Sequence, residues 1–269
     1  MLVIGENINA SNKSVAEAIA SKDREFFENL ARAEAAAGAD FIDVNAGAGH
    51  GSPEQEKATM EWLVEVIQEA TDKPLAIDSD NPKLVEAALC KYRGERLIIN
   101  SVSAEPGRLE SIGSLAAQHQ AWLVAMAMGT SGIPDNVEKR LAACDLIMKH
   151  LTSLGMGAEQ IFFDPLVLPI SVDSSQGLVT LKTIEQIKSR YPAARTVMGL
   201  SNISYGLPRR KLVNRAFLLM AAYAGLDAVI LDPLDAKIMS FTKVSNMLVG
   251  RDLFCKDYIR AHRKGMLLD

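Results

Sequence analysis

The chain has 269 residues, of which 48% are hydrophobic and 23% are charged, and its formal net charge is -4. This composition supports a large core, and the lack of a basic block interleaved with aromatics argues against nucleic-acid binding. No apolar run approaches the roughly 20 residues that cross a bilayer, and the first residues do not resemble a signal peptide. We therefore expect a soluble, cytoplasmic protein without a membrane segment.

Short apolar runs alternate with helical patterns along the whole chain. We predict eight strands from β-branched and apolar runs, at 2–4, 41–44, 74–77, 97–99, 122–126, 161–163, 196–198 and 228–231. Helical spacing or capping residues predict helices between them, at about 24–37, from 53, 82–92, 108–118, 134–154, up to 190, and 212–224. No linker or low-complexity segment interrupts the series, so we expect one domain spanning residues 1–269.

Eight strand-then-helix units are typical of a (β/α)8 TIM barrel, which usually needs about 250 residues. A doubly wound open sheet is the alternative. The turn after the first strand reads GENIN rather than GxGxxG, and no P-loop is present, which argues against a dinucleotide-binding sheet.

Polar side chains follow almost every predicted strand at the point where it ends. In a barrel these ends meet at one mouth, so we expect a shared pocket formed by Glu6, Asn9, Asp43, Asn45, Asp78, Asn100, Asp164, Ser201, Asn202 and Asp232. The set is rich in carboxylates and amides and contains no Lys, Arg or His. Such a pocket suits a neutral heterocycle with several N–H donors, for example a 2-amino-4-oxo pterin.

Six motifs then support a family resemblance. In chain order they are GENIN, DVNAG, AIDSDN, IINS, FFDPLVLP and GLSNIS. This series resembles the pterin-binding methyltransferases, in particular the methyltetrahydrofolate:corrinoid-protein methyltransferases and the folate domain of cobalamin-dependent methionine synthase. The resemblance covers nearly the whole chain and implies a pterin-binding (β/α)8 barrel.

The resemblance implies an activity and partners. The family moves a methyl group between N5 of tetrahydrofolate and the cobalt of a corrinoid protein in one-carbon metabolism, either in the acetyl-CoA pathway or in demethylation of methylated compounds. Tetrahydrofolate or methyltetrahydrofolate would be the substrate, and a partner protein would carry the corrinoid (cobalamin). The family is typically homodimeric. No bound metal is expected, since the three cysteines and four histidines are scattered.

The resemblance also assigns roles to individual residues. Asp78, Asn100 and Asp164 would hold the pterin ring, and Gly199 and Ser201 would line the site. Asn202 would be catalytic, through a hydrogen bond to the N5 nitrogen that carries the methyl group.

Weaker assignments concern the edges of the site. Met128 is expected to pack in the core, with contact to the pterin as the alternative, and Arg210 would meet the benzoyl-glutamate tail. Glu6 and Asp43 are either ligands or structural carboxylates, and Asp232 is expected to cap the following helix rather than bind ligand. His50, in the glycine-rich loop before Pro53, is expected to face solvent.

Two alternative functions are open. A dihydropteroate synthase shares the fold and the pterin pocket, but that family carries a Lys near the seventh strand and an Arg/His pair after the eighth. Here the corresponding segments read GLSNIS and LDPLD. A non-catalytic pterin- or folate-binding barrel is the other alternative, although ring recognition alone does not require a donor such as Asn202 at N5.

Overall fold

Eight parallel strands close into a barrel in which the spatial order is the chain order. The computed structural model describes residues 1–47 and 52–268, so His50 lies outside the described residues. The strands are β1 (Leu2–Gly5), β2 (Phe41–Val44), β3 (Leu75–Asp78), β4 (Leu97–Val102), β5 (Trp122–Met126), β6 (Ile161–Asp164), β7 (Arg195–Gly199) and β8 (Ala228–Leu231). β8 pairs with β1, for example Ala228 with Leu2. The predicted TIM barrel is confirmed.

Each strand is followed by a helix that packs outside the barrel. The helices are α1 (Lys13–Ser21), α2 (Arg24–Ala37), α3 (Pro53–Ala70), α4 (Pro82–Lys91), α5 (Pro106–Gln118), α6 (Val137–Ser153), α7 (Gln176–Arg190), α8 (Arg210–Ala224), α9 (Ala236–Leu248) and α10 (Lys256–Arg263). Short 3-10 helices lie at Ala158–Gln160, Leu200–Ser204 and Leu253–Cys255. Within the described residues, none of the helices is long and apolar enough to cross a membrane.

Local sequence explains where several helices begin and end. The Asp23 carboxylate accepts the Phe26 N–H and caps α2, which ends at Gly38 with φ +106°. Ser52 and Gln55 form a capping box at the start of α3. The additional helix α1 was not predicted from the sequence, because it has nine residues and buries only Val15 and Ala18.

The barrel interior is closed by apolar side chains, one from each strand. This layer consists of Ile4, Phe41, Ala76, Ile98, Val124, Phe162, Val197 and Ala228. Below it, the Arg195 guanidinium lies 4.3 Å from the Trp122 ring centroid and covers the amino-terminal end. Since that end is filled, ligand can enter the barrel from the carboxyl-terminal mouth.

Candidate active site

Side chains alternate along a strand, so every second residue points into the barrel. The inward-pointing residues that follow the apolar layer line the carboxyl-terminal mouth. Two residues beyond the apolar layer, the strands and their ends carry Glu6, Asp43, Asp78, Asn100, Met126, Asp164, Gly199 and Ile230. The strand-end residues predicted from the sequence therefore converge on one mouth. In the described chain, Glu6, Asp43, Asp78 and Asp164 form no ion pair with Lys, Arg or His within 4.0 Å, so the mouth presents carboxylate and amide groups.

Asp43 and Asp78 form one hydrogen-bonded unit on β2 and β3. The Asn45 amide donates to Asp78 Oδ2 at 2.7 Å, and the Asn100 amide donates to Asp43 Oδ1 at 3.3 Å. Burial and the nearby Asp78 charge raise the pKa of Asp43 well above its usual range. Burial also raises the pKa of Asp78, while hydrogen bonds from Asn45 and Asp43 lower it. Asp78 is partly exposed whereas Asp43 is buried, so Asp78 is the carboxyl of this unit that can accept ligand N–H groups.

Asp164 lies at the end of β6 and is half-buried. Its Oδ1 accepts the backbone N–H of Leu166 at 2.8 Å. Burial raises the pKa of Asp164 to about 6, although this hydrogen bond and the charge of Arg140 act in the opposite direction. The carboxylate is therefore mostly ionised at pH 7 and retains acceptor capacity for a ligand.

The segment after β7 forms a 3-10 helix that carries Ser201 and Asn202 over the mouth. A Cβ built on Gly199 would lie 3.5 Å from Asn202 Nδ2, so the amide sits directly above this glycine. Asn202 is exposed, and none of the hydrogen bonds in the described part of the chain involves its side chain. The Ser201 hydroxyl donates to Glu6 Oε1 at 3.4 Å. Asn202 thus offers an amide that a ligand can engage.

Arg210 braces this segment from the first residue of α8. Its guanidinium donates to the Ser201 carbonyl at 2.7 Å and to Ser204 Oγ at 3.1 Å. Arg210 also lines a cavity of about 340 Å3 beside the mouth. The other lining residues are Glu6, Leu200, Ser201, Lys211, Asn214, Leu231, Asp232, Asp235 and Ile238. An elongated ligand could extend from the mouth into this cavity.

One further acidic residue, Glu34, lies near Glu6 and Asp232 and was not found from the sequence. The Glu34 carboxylate, on α2, is buried and accepts the Asn7 N–H at 2.9 Å, while its Oε2 has no hydrogen-bond partner in the described structure. Burial raises the pKa of Glu34 to about 7, and the charges of Asp232 and Glu6 add to this effect. Its helical spacing did hold a signal, because Glu34 lies among alanines and follows Phe27 and Ala31 on the buried face of α2.

The predicted cap role of Asp232 is wrong. Asp235 caps α9 by accepting the Lys237 and Ile238 N–H groups. Asp232 instead accepts the Asn7 amide at 2.7 Å and the Leu234 N–H at 2.9 Å. Asn81, not Asp78, similarly caps α4, which leaves Asp78 free to face the mouth.

Met128 lies just beyond β5 and is half-buried against the core. Its backbone carbonyl accepts the Ala104 N–H at 2.8 Å. Among residues 1–47 and 52–268, no group of three or more His, Cys, Asp or Glu residues is arranged to hold a metal ion. The arrangement as a whole can hold a planar heterocycle by hydrogen bonds and place one amide donor over it.

A family model described as "Pterin binding enzyme" matches residues 5–232. This chain belongs to that family. The match runs from the end of β1 to Asp232, so it contains every strand-end position of the mouth described above.

Among similar proteins, a methylcorrinoid:tetrahydrofolate methyltransferase of Eubacterium limosum is 35% identical over 99% of this chain and 98% of its own length. Methionine synthase of Mycobacterium leprae is 30% identical over 91% of this chain, which corresponds to 21% of that protein. This chain therefore matches the first relative along nearly its whole length, and it matches only one portion of the second.

Solved structures of dihydropteroate synthases share the fold. A Xanthomonas albilineans enzyme superposes with a TM-score of 0.71 at 19% identity, covering 92% of each chain. A Yersinia pestis enzyme gives a TM-score of 0.65 at 16% identity, covering 91% of this chain and 93% of its own. At these identities the likeness concerns the barrel alone.

Proposed function

We propose that this chain is a methyltransferase that moves a methyl group between N5 of tetrahydrofolate and the cobalt of a corrinoid protein. The Eubacterium limosum relative, which matches this chain over nearly the full length of both proteins, is a methylcorrinoid:tetrahydrofolate methyltransferase. The barrel mouth supports it, because the exposed Asn202 amide lies above Gly199 beside a ring of hydrogen-bonding groups.

In the proposed site, Asp78, Asn100 and Asp164 hold the pterin ring. The carboxyl groups of Asp78 and Asp164 accept hydrogen bonds from ring N–H and amino groups, and the Asn100 amide can donate and accept. The carboxyl and amide groups of these residues suit the N–H and amino donors of an uncharged pterin ring. Gly199 and Ser201 line the site at close range, and Glu6, Asp43 and Met128 support its edges.

Asn202 has the catalytic role in this proposal. An amine is a poor leaving group, so methyl transfer from N5 requires a donor that strengthens its hydrogen bond as the nitrogen gains electron density. A neutral amide supplies this donor without a shifted pKa. In the reverse direction the same amide orients the N5 lone pair toward the methyl group. The corrinoid, bound to its own protein, accepts or supplies the methyl group.

The proposed function also requires a corrinoid protein as a partner. The corrinoid protein must reach the carboxyl-terminal mouth, because the exposed Asn202 is on that side of the barrel. In this proposal Arg210 and the cavity that it lines meet the benzoyl-glutamate tail of the folate. Homodimer formation and a cytoplasmic location stay predictions from the resemblance and the sequence.

The decisive experiment measures methyl transfer and folate binding in the same preparation. Anaerobic assays would follow transfer between methyltetrahydrofolate and free cobalamin in both directions, alongside calorimetric titration with methyltetrahydrofolate. We expect Asn202→Ala to slow transfer by about 100-fold or more while the dissociation constant changes by less than about tenfold. Transfer at the wild-type rate in this variant would contradict the proposed role.

Asn246→Ala is the matched control. Asn246 accepts a hydrogen bond from the Met1 amino group at 2.9 Å and lies away from the mouth, so its loss should leave transfer unchanged. Dihydropterin pyrophosphate tests the alternative synthase activity. Preferential binding of that compound, with product formation from 4-aminobenzoate, would replace the methyltransferase proposal.

A further inference from the structure

Arg140 is a fully buried arginine whose guanidinium is held by neutral acceptors in the described chain. It lies in the first turn of α6 with 0% of its surface exposed, and its guanidinium makes no ion pair within 4.0 Å. Burying a charge without a counter-ion costs free energy unless its donors are satisfied by hydrogen bonds. The positions of those acceptors therefore indicate what the residue holds in place.

The guanidinium of Arg140 binds the segment that follows β6. Its Nη1 donates to the Pro165 carbonyl at 2.8 Å and to the Leu166 carbonyl at 2.9 Å. Its Nη2 donates to Gln176 Oε1 at 2.7 Å, and its Nε donates to the Pro134 carbonyl at 3.2 Å. One side chain thus joins the loop before α6, the loop after β6 and the start of α7.

The two carbonyls follow Asp164 directly in the chain. Leu166 has φ +67°, a left-handed conformation that is costly for a leucine and must be held by its surroundings. Its carbonyl also accepts the Thr180 hydroxyl at 3.1 Å, and its N–H donates to Asp164 Oδ1 at 2.8 Å. The guanidinium therefore holds the turn whose N–H orients the Asp164 carboxylate.

We propose that Arg140 is a positioning residue for Asp164, which it orients toward the pterin by holding the Pro165 and Leu166 carbonyls. This inference rests on the proposed function, in which Asp164 is a ligand of the pterin ring. Arg140 does not touch the substrate in this arrangement. It acts on Asp164 through the backbone of Pro165 and Leu166 and through the Leu166 N–H.

The charge of Arg140 has a second effect on Asp164. Burial raises the pKa of Asp164, and Arg140 is the cation that lowers it in the described structure. Cys144, on the same helix, is an uncharged thiol because burial raises its pKa. The charge of Asp135 acts on Arg140 and not on Asp164. The neighbour of Asp164 on β5 is the uncharged Met126. Removing the guanidinium should therefore move the titration of Asp164 to higher pH.

The experiment compares methyltetrahydrofolate binding between pH 5 and 8.5 for the wild type, Arg140→Met and Arg140→Lys. We expect Arg140→Met to bind about tenfold more weakly at pH 7 and to lose binding on acidification at a midpoint about one pH unit higher. Arg140→Lys keeps the charge but cannot hold both carbonyls with the same geometry. Its midpoint should stay near that of the wild type, while its affinity is reduced.

Two further variants separate positioning from a general effect on folding. In an Asp164→Asn background, Arg140→Met should no longer move the midpoint, because the titrating group is gone. Thr180→Val removes one donor to the Leu166 carbonyl with little change in volume, and should weaken binding about threefold or more. Arg32→Gln, at an exposed arginine paired with Glu28, should change neither affinity nor midpoint.

The outcomes are distinguishable. If the wild type does not bind methyltetrahydrofolate at millimolar concentration, the proposed function fails and this inference fails with it. If the wild type binds but folded Arg140→Met has the same affinity and midpoint, Arg140 is only structural. Should the Arg140 variants not fold, wild-type affinity in Thr180→Val would overturn the inference, and weakened binding would support it.

Discussion

At the scale of single residues, the mouth separates two carboxyls by their burial. Asp43 is 2% exposed, whereas Asp78 is partly exposed, accepts hydrogen bonds from Asn45 and Asp43, and faces the mouth. This division leaves one accessible carboxyl acceptor next to the Asn100 amide. A pocket matched to ring donors in this way rejects ligands that leave a buried group unpaired.

We expect Asp78→Asn to weaken methyltetrahydrofolate binding by about tenfold or more at pH 7.5, because an amide NH2 would face the ring donors. Calorimetric titration measures the effect. Asp80→Asn is the matched control, since Asp80 is exposed two residues further along and pairs with Arg108 at 3.0 Å. Equal losses in the two variants would show that the effect is not specific to the mouth.

At the scale of elements, Gly5 on β1 leaves room for the carboxyl end of Glu34, which comes from α2. A Cβ on Gly5 would lie 2.7 Å from the carboxyl carbon of Glu34, which is closer than real contacts allow. The approach places the buried Glu34 carboxylate under the Asn7 N–H. The packing of α2 on β1 therefore positions Asn7, whose amide binds Asp232 at the mouth.

We expect Gly5→Ala to lower the free energy of unfolding by about 1–3 kcal/mol, since the new methyl group would displace the buried Glu34 carboxyl from the Asn7 N–H. Denaturation by urea measures this change. Adding Glu34→Ala should recover part of the loss, which a double-mutant cycle would reveal as a coupling energy.

The control for this prediction is Gly107→Ala in the first turn of α5. A Cβ at Gly107 meets nothing within 4 Å, so alanine should be neutral or slightly stabilising there. Strict additivity of Gly5→Ala and Glu34→Ala would contradict the proposed contact.

At the scale of the whole molecule, the mouth makes stability depend on pH. Burial raises the folded-state pKa of Glu34 to about 7 and of Asp164 to about 6, and it also raises the pKa of Asp43, Asp78 and Glu6. A raised folded-state pKa stabilises the protein while the group is protonated, and this contribution is lost as pH rises through the folded value. Carboxyls with a lowered pKa act in the other direction, below about pH 4.

We therefore expect the free energy of unfolding of the ligand-free protein to decrease by about 2–4 kcal/mol between pH 5 and pH 8. Urea denaturation at several pH values measures it. Glu34→Gln should flatten the part of the curve below pH 7 and raise stability at pH 8, because the buried charge is removed. Exposed Glu138→Gln should leave the slope unchanged. Stability that rises with pH over this window, or a slope unaffected by Glu34→Gln, would disprove the prediction.

The sequence by itself determined the barrel and the composition of its mouth. Strand-ending residues such as Asp78, Asn100 and Asp164 could be assigned because a buried strand has a short local pattern and its two-residue period sets which side chains face inward. The count of eight units then implied that these ends meet. The family motifs added the catalytic role of Asn202, which remains a proposal.

Only the tertiary structure decided which residues from the helices reach this site. Glu34 and Arg140 lie within ordinary helical patterns, and nothing local indicates that one passes beside Gly5 or that the other binds the carbonyls after Asp164. Likewise, Asp232 and Asp235 both precede α9, and the path of the chain makes only Asp235 its cap. Local patterns follow from the conformation of neighbouring residues, whereas these contacts depend on how each helix packs against the barrel.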